Sequence, residues 1–324
     1  MKRRSLAVLA AAIGLGLIAP LCWAQSFPTQ SVRIISPFSA GSGPDALTRI
    51  VAEKLTAIWK QPVIIDPRPG GNGFIAAGAA KQAAPTGHDL FLADVGHLAI
   101  SPSLFKKLPY DPKQDFVPVG GMFRTSFYVM VGANSPFRTV KDLIAAAATP
   151  DKVTSGSTAI GSPPHLGAAQ LAAASGTRMT HVPFKEVSQL NIAVSNGEVD
   201  WTMSTLATAG PLLKAGKVRF IAIADETRSV SLPNVPTVEE SGGPKGVYAR
   251  SWVALLAPKG TPPAVVSTLN QSLNDVLRQP EVAEKFEAVG FAPFPLAPAA
   301  LASLIDSDAV AYGVMVRRTG VSAD

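Results

Sequence analysis

Cysteine and charge are both scarce in this chain. It has one cysteine, Cys22, among 324 residues, and Asp, Glu, Lys and Arg together make up 16% of the sequence. Cys22 falls in an amino-terminal segment that we expect to be removed, which excludes disulfides, thiolate chemistry and cysteine metal ligands from the mature chain. The basic residues are scattered, and the net charge of +6 includes three positive side chains of that segment, so nucleic-acid binding is not predicted.

Motifs for catalysis and metal binding are missing as well. The chain has no G-x-S-x-G elbow, no H-E-x-x-H pattern and no spacing that pairs two carboxylates as acid and base. The histidines are separated from one another and are interpreted as hydrogen-bonded structural residues: His88, His97, His165 and His181. The sequence therefore predicts a protein that is not an enzyme and that uses neither a metal nor a cofactor.

The first residues have the pattern of an export signal. Three basic residues at positions 2–4 precede an apolar stretch, residues 6–18, and the small residue Ala24 follows. The stretch is shorter than the ~20 apolar residues of a membrane-spanning helix. Leu21 before Cys22 does not suit a lipoprotein signal. We expect a signal peptide, residues 1–24, and a periplasmic mature protein; the Arg3-Arg4 pair leaves both the Sec and the twin-arginine export routes open.

A strand, a glycine-rich turn and a helix follow one another early in the mature chain. The β-branched run at residues 32–35 predicts the strand, PFSAGSG the turn, and Pro44 the first helical turn, where its missing N–H does no harm. Apolar residues at helical spacing continue to about Trp59 and include Ile58. The next predicted strand, residues 63–65, leads into the loop DPRPGGNG.

The same arrangement returns about one domain later. Val153 begins a short predicted strand, SGSTAIGS makes the turn, and Pro163-Pro164 open a helix that ends near Gly176. Further strands are predicted at residues 179–184, 199–204, 218–224 and 251–258, and helices at residues 262–277 and 298–317. This alternation over 324 residues predicts an α/β protein with two domains.

Each strand–turn–helix unit is a candidate anion site, because unpaired N–H groups and the positive end of the helix dipole converge there. We name the two segments the first glycine loop, residues 38–45, and the second glycine loop, residues 157–165. The residues expected to contact a ligand are Ser39, Ala40, Gly41, Ser42, Asp45, Ser157, Thr158, Gly161 and Ser162. For Asp45, a role as helix cap and a role as ligand contact are both open.

A dinucleotide site is the competing interpretation. Gly41-x-Gly43-x-x-Ala46 matches the G-x-G-x-x-G/A fingerprint, and Asp66 closes the next strand about 20 residues further on. Against it, PFSA stands between the strand and the first glycine, where the fingerprint expects an immediate turn, and export removes the chain from the cytoplasmic nicotinamide pool. An exported dinucleotide-binding oxidoreductase is therefore kept as the alternative from another functional class.

Several segments spread over nearly all of the mature chain resemble a single family. They include SVRIISPFSAGSGPDALTRIVAEKL, QPVIIDPRPGGNGFIAA, GSTAIGSPPHL, HVPFKE, RSVSLPNVPTVEESG and SWVALLAPKGTPPAVVSTLN. In this order they resemble the extracytoplasmic receptors of tripartite tricarboxylate transporters, also called Bug proteins. The resemblance implies a type II periplasmic-binding-protein fold with two α/β lobes joined by a hinge that the chain crosses twice. Lobe one would comprise residues 26–125 and 251–324, and lobe two residues 126–250.

The resemblance also implies a function and two further site residues. Such receptors hold the carboxylate groups of a small solute between the equivalents of the two glycine loops, which adds Phe38 and His165 to the ligand-binding candidates. The closed form is then recognised by the membrane permease subunits of the transporter. We expect a monomer that binds a small carboxylate. A receptor that reports the ligand to a signalling partner is a second alternative.

Four residues near the implied site depart from the family's usual pattern. Ser42 and Glu186 stand where glycine is usual, Asp94 where a small hydroxylated residue is usual, and Ser204 where aspartate is usual. Acidic groups near a carboxylate site are costly unless they meet a cationic or hydrogen-donating group. We therefore count Asp94, Glu186 and Ser204 among the site candidates, and hypothesise a ligand with an amino, amide or ring-nitrogen group besides its carboxylate.

Overall fold

The computed structural model describes residues 27–321, so the expected signal peptide, residues 1–24, lies outside the described residues. The strands of the described part are β1 (Val32–Ser36), β2 (Val63–Pro67), β3 (Asp89–Asp94), β4 (Phe116–Ser126), β5 (Tyr128–Gly132), β6 (Thr154–Ser157), β7 (Thr180–Pro183), β8 (Trp201–Ser204), β9 (Val218–Ile223), β10 (Arg250–Pro258) and β11 (Ala292–Pro293).

The α-helices are α1 (Gly43–Trp59), α2 (Phe74–Lys81), α3 (Ser101–Leu104), α4 (Val140–Ala146), α5 (Pro163–Ser175), α6 (Val187–Asn196), α7 (Leu206–Lys214), α8 (Pro263–Leu277), α9 (Pro280–Glu287) and α10 (Pro298–Thr319). A 3₁₀ turn (Gly71–Gly73) precedes α2, and a π turn (Gly96–Ile100) precedes α3. Proline stands in the first turn of α1 and of α5, as predicted.

Two sheets carry the strands. The first has the order β11-β4-β10-β3-β1-β2, and the second the order β7-β6-β8-β5-β9. In the first, β1 is parallel to β2 and β3; in the second, β6 is parallel to β7 and β8. In each sheet the next strand, β10 or β5, runs antiparallel to its neighbours. The two sheets thus share one topology.

The chain crosses between the sheets twice. It passes from the first sheet to the second between Ser126 and Tyr128, and it returns to the first sheet at Arg250. We call the part built on the first sheet lobe one and the part built on the second sheet lobe two. The predicted fold class, two α/β lobes joined by a hinge crossed twice, is confirmed.

Helices cover both faces of each sheet, because the strands place apolar side chains alternately on the two faces. In β3, Leu92 packs with α1 and α8 on one face, and Phe91 packs with α2 and α10 on the other. In β5, Val129 faces α4 and α5, and Met130 faces α6. Each lobe therefore has its own hydrophobic core.

Helix α1 buries most of the apolar stripe that its sequence predicts. Leu47, Val51 and Leu55 are buried, but Ile58 is 47% exposed, contrary to our expectation. In this last turn Trp59 takes the inward position, since its Nε1 donates a hydrogen bond to Ser272 Oγ of α8 at 2.9 Å.

Helix α10 is the one helix of the described residues whose length and composition would allow it to cross a membrane, with a mean hydropathy of 1.4 over 18 residues. Core helices of globular proteins pass the same test. Here Leu301, Ile305 and Val316 of α10 pack into the core of lobe one.

Candidate functional site

The carboxyl ends of the parallel strands lie at one edge of each sheet. The parallel strands end at Ser36, Pro67 and Asp94 in lobe one, and at Ser157, Pro183 and Ser204 in lobe two. The loops that follow β1 and β6 are the two glycine loops, so each of them lies at such an edge and ends in the amino terminus of a helix.

Each glycine loop touches the opposite lobe. Gly43, at the start of α1, lies beside Ala207 of α7: a Cβ added to the glycine would be 3.2 Å from the Cβ of Ala207. In the second loop, Gly161 lies against Leu104 of α3. Both predicted loops are therefore at the junction of the two lobes.

The first glycine loop is held in shape by a buried carboxylate. Gly41 has a φ of 77°, and its N–H donates to Asp45 Oδ2 at 2.8 Å. The same oxygen accepts a hydrogen bond from Arg49 Nε at 2.9 Å. Asp45 thus supports the loop and is engaged by protein donors, while Ser39 and Ala40 are exposed and Phe38 is half-buried.

Ser42 has an unused hydrogen-bonding group. It is the N-cap of α1, yet its side chain makes no capping hydrogen bond, and its buried Oγ has no partner among the described residues. A buried hydroxyl without a partner costs about 1–3 kcal/mol. The first glycine loop therefore leaves a polar position open at the positive end of a 17-residue helix.

The second glycine loop is held by two histidines. Ser162 caps α5 by accepting a hydrogen bond from the His165 N–H at 3.4 Å. The Gly161 N–H donates to His165 Nδ1 at 2.9 Å, and Ser157 Oγ is hydrogen-bonded to His181 Nε2 at 2.8 Å. Thr158, between these anchors, is half-buried. His181 was not among the predicted site residues.

The two rings of this pair are stacked. The ring centroids of His165 and His181 are 4.0 Å apart, with an interplanar angle of 20°. Burial, assisted by the charge of His181, lowers the pKa of His165 to about 4. Burial also lowers the pKa of His181. The rings are therefore neutral at pH 7. Their signal in the sequence was weak, because they lie on different elements, α5 and β7.

Asp94 is paired inside the protein. Its Oδ1 accepts hydrogen bonds from His97 Nδ1 at 2.6 Å and from the His97 N–H at 3.1 Å. Burial alone would raise the pKa of Asp94, but the charge interaction and hydrogen bonds with His97 outweigh it, and the pKa lies below its ordinary value. We expected a cationic or hydrogen-donating group of the ligand to pair with Asp94, but His97 is its partner. The three-residue spacing between Asp94 and His97 was the signal in the sequence that could have indicated this pair.

The remaining candidates from the family comparison have different surroundings. Glu186 is exposed, and as the N-cap of α6 it makes no side-chain capping bond. Ser204 is buried at the end of β8, where its Oγ is hydrogen-bonded to Thr208 Oγ1 at 3.0 Å and lies 3.4 Å from Asn191 Oδ1. The hydrogen bonds of Ser204 thus stay within lobe two.

Two sheets of one topology, a double crossing and a helix amino terminus from each lobe at the junction define a type II periplasmic solute-binding protein. Solved structures agree. Rpa4515 of R. palustris, determined with adipate, is 28% identical, with a TM-score of 0.86 and coverage of 91% of this chain and 99% of that one. MatC of Rhodopseudomonas palustris, determined with malate, is 28% identical, with a TM-score of 0.81 over 90% and 100% of the two chains.

Sequence comparison gives the family. Residues 47–321 match the family described as tripartite tricarboxylate transporter family receptor. Protein BugT of Bordetella pertussis is 30% identical over 319 residues, 98% of either chain. A UPF0065 protein of Bordetella bronchiseptica is 31% identical over 283 residues, 87% of this chain and 84% of its own. The chain belongs to the tripartite tricarboxylate transporter receptor family, which favours the receptor over the dinucleotide-binding oxidoreductase.

Proposed function

We propose that the protein is a periplasmic receptor that binds a small carboxylate between its two glycine loops and presents it to the permease subunits of a tripartite transporter. The observation that carries this proposal is that the loops leading into the amino termini of α1 and α5 each contact the opposite lobe, Gly43 beside Ala207 and Gly161 beside Leu104. Two relatives of known structure were determined with dicarboxylates, adipate and malate.

The chemistry of the two loops suits an anion. In the first turn of α1, the N–H groups of Gly43 and Asp45 are not used within the helix. Helix α5 begins with Pro163 and Pro164, which have no N–H, so its contribution is the positive end of its dipole, which like that of α1 favours negative charge. Ser42 Oγ adds a hydroxyl that has no partner among the described residues. A carboxylate accepts hydrogen bonds from such donors and offsets the cost of burying them.

A ligand with two carboxylate groups suits a site with one helix terminus in each lobe. Each carboxylate would meet one terminus, so the ligand bridges the lobes and binds the closed form more tightly than the open form. Lobe one (residues 26–125 and 251–324) and lobe two (residues 126–250) would then move as bodies about the crossings. One chain supplies both loops, so a monomer suffices, and no chemical step on the solute is needed.

Calorimetric titration of the mature chain at pH 7.5 tests this function. The panel comprises malate, adipate, aspartate, the matching monocarboxylates and a nicotinamide dinucleotide, with native mass spectrometry to identify any copurified solute. We expect one-to-one binding of a carboxylate and none of the dinucleotide. Binding of the dinucleotide alone, or of no carboxylate, would overturn the proposal.

A further inference from the structure

The stacked histidines tie the two ends of the second glycine loop together. His181 Nε2 is bonded to Ser157 Oγ at the start of the loop, and His165 Nδ1 accepts from the Gly161 N–H near its end. With the ring centroids 4.0 Å apart, the two attachments form one unit. The loop shape that presents the amino terminus of α5 thus depends on both rings.

The attachment through His165 requires a neutral imidazole, whereas Ser157 Oγ and His181 Nε2 can bond whichever of the two atoms donates. Nδ1 of His165 accepts the Gly161 N–H only while that nitrogen carries no proton. Protonation turns the acceptor into a donor and sets two N–H groups against each other. A positive charge on either ring also disfavours a charge on the other, because the rings are in stacking contact.

The elements that carry and adjoin the two rings, α3, α5, β6, β7 and β8, contain no Asp, Glu, Lys or Arg. Helix α10, which also packs against α5, carries four charged residues: Asp306 pairs with Lys113, Asp308 accepts a hydrogen bond from Trp252 Nε1, and Arg317 and Arg318 lie in its last turn. The nearest charged residues along the chain, Arg178 before β7 and Lys185 and Glu186 after it, are exposed, and Arg178 is paired with Asp151. No ion pair of the described residues involves His165 or His181. Burial alone therefore lowers the pKa of His181, and burial together with the charge of His181 lowers the pKa of His165.

We propose that His165 and His181 are positioning residues which hold the second glycine loop in its ligand-binding shape only while His165 is neutral, so that acidification releases the ligand. This inference rests on the proposed function. Leu104 covers Gly161 from the other lobe, so opening of the lobes hydrates this region and brings the rings closer to an ordinary pKa. Proton binding to the open form then competes with closure around the ligand. If one group has a pKa near 6.5 in the open form and must be neutral in the closed form, the ligand affinity falls about tenfold between pH 7.5 and 5.5.

The test compares malate affinity at pH 7.5 and 5.5 in the wild type and in the double variant His165→Asn/His181→Gln. The Asn and Gln amides place non-titrating groups where Nδ1 of His165 and Nε2 of His181 stand. We expect the wild type to lose about tenfold in affinity on acidification. Whatever its affinity at pH 7.5, the double variant should lose less than about threefold on acidification, a loss that reflects protonation of malate itself. His88→Asn, a control outside both glycine loops, should keep the full loss.

Hydrogen exchange of residues 157–165 without ligand provides a second readout. After correction for intrinsic exchange rates, protection in the wild type should fall between pH 7.5 and 5.5, and in the double variant it should not. If malate and the other carboxylates fail to bind at pH 7.5, the proposed function fails while hydrogen exchange still tests the loop. Equal pH profiles of wild type and double variant in both readouts would overturn the inference itself.

Discussion

Gly161 of lobe two lies so close to Leu104 of lobe one that a Cβ on the glycine would come within 2.1 Å of the Leu104 Cδ2. Gly161 also has a φ of 74°, a conformation that costs other residues about 1–2 kcal/mol. The second glycine loop thus needs glycine both for its turn and for contact between the lobes.

Gly161→Ala is expected to weaken ligand binding as well as stability. Gly176, the C-cap of α5, offers a matched control, because it has a φ of 65° and nothing within 4 Å of an added Cβ. Both variants should lower the free energy of unfolding by about 1–2 kcal/mol in urea denaturation. Gly161→Ala alone should lower malate affinity, by about tenfold or more, since overpacking costs about 1–3 kcal/mol. Equal affinities of the two variants would contradict a lobe contact at Gly161.

Ser42→Ala should separate binding from stability. If a ligand carboxylate accepts a hydrogen bond from the buried Oγ, its loss weakens binding about tenfold or more, because hydrogen bonds to charged groups contribute about 1.5–3 kcal/mol. The ligand-free stability should stay the same or rise, since an unpartnered hydroxyl is removed.

Thr139→Ala is the matched control for Ser42→Ala. Thr139 Oγ1 accepts the Asp142 N–H at 3.1 Å and caps α4. Its loss should lower the free energy of unfolding by about 1 kcal/mol and leave affinity unchanged. For both variants, calorimetry measures the ligand affinity and thermal unfolding measures the stability. A Ser42→Ala variant that is destabilised but binds normally would assign Ser42 a structural role.

Local sequence patterns predicted the glycine loops well, because each loop depends on neighbours along the chain. Pro44 and Pro163 mark the helix starts, and Gly41 and Gly161 adopt positive φ as a tight turn requires. The strand ends and the order of elements follow from the same local signals.

Pairings across the chain could not be predicted in this way. Ser157 meets His181 only because β6 and β7 are parallel neighbours, and Gly161 meets Leu104 only because the lobes come together. Helical periodicity alone also does not predict that Trp59 faces inward while Ile58 is exposed, because the orientation of Trp59 depends on its hydrogen bond to Ser272 of α8. Residue spacing in the sequence therefore indicates candidate site residues, but their contacts depend on the tertiary fold.

Asp94→Asn should show a pH-dependent loss of stability. The folded state holds the pKa of Asp94 below its ordinary value of 3.8, so the pairing with His97 stabilises the fold above that pH and its contribution is lost as pH falls. We expect the variant to lose about 1–3 kcal/mol at pH 7 in urea denaturation, and the difference to shrink below about pH 4.

A control for Asp94→Asn is Asp306→Asn, which removes an exposed ion pair with Lys113 and should cost less than about 1 kcal/mol. Because His97 already serves as partner of Asp94, the preference between malate and aspartate should be the same in the wild type and Asp94→Asn. A preference that shifts away from aspartate would instead restore the hypothesis of an amino-bearing ligand.

The two hinge crossings are joined through Asp225, which follows β9. Its carboxylate accepts hydrogen bonds from Ser126 Oγ, at the end of β4, and from Arg250 Nε, at the start of β10, the latter at 2.9 Å. The Arg250 guanidinium also lies over the Tyr248 ring, 4.6 Å from its centroid. One residue of lobe two therefore holds both segments by which the chain passes between the lobes.

Asp225→Asn should loosen the hinge at little cost in stability. The pair with Arg250 is partly exposed, so the free energy of unfolding should fall by only about 1 kcal/mol or less. The distribution of lobe distances should broaden, and malate affinity should fall a few-fold because binding must then order the hinge. Single-molecule fluorescence transfer between cysteines placed at the exposed positions Ile58 and Ile192 reports this distance. Asp275→Asn, which breaks an exposed pair with Arg278, should alter neither quantity; a distance distribution for Asp225→Asn as narrow as that of this control would show that the hinge is held by other contacts.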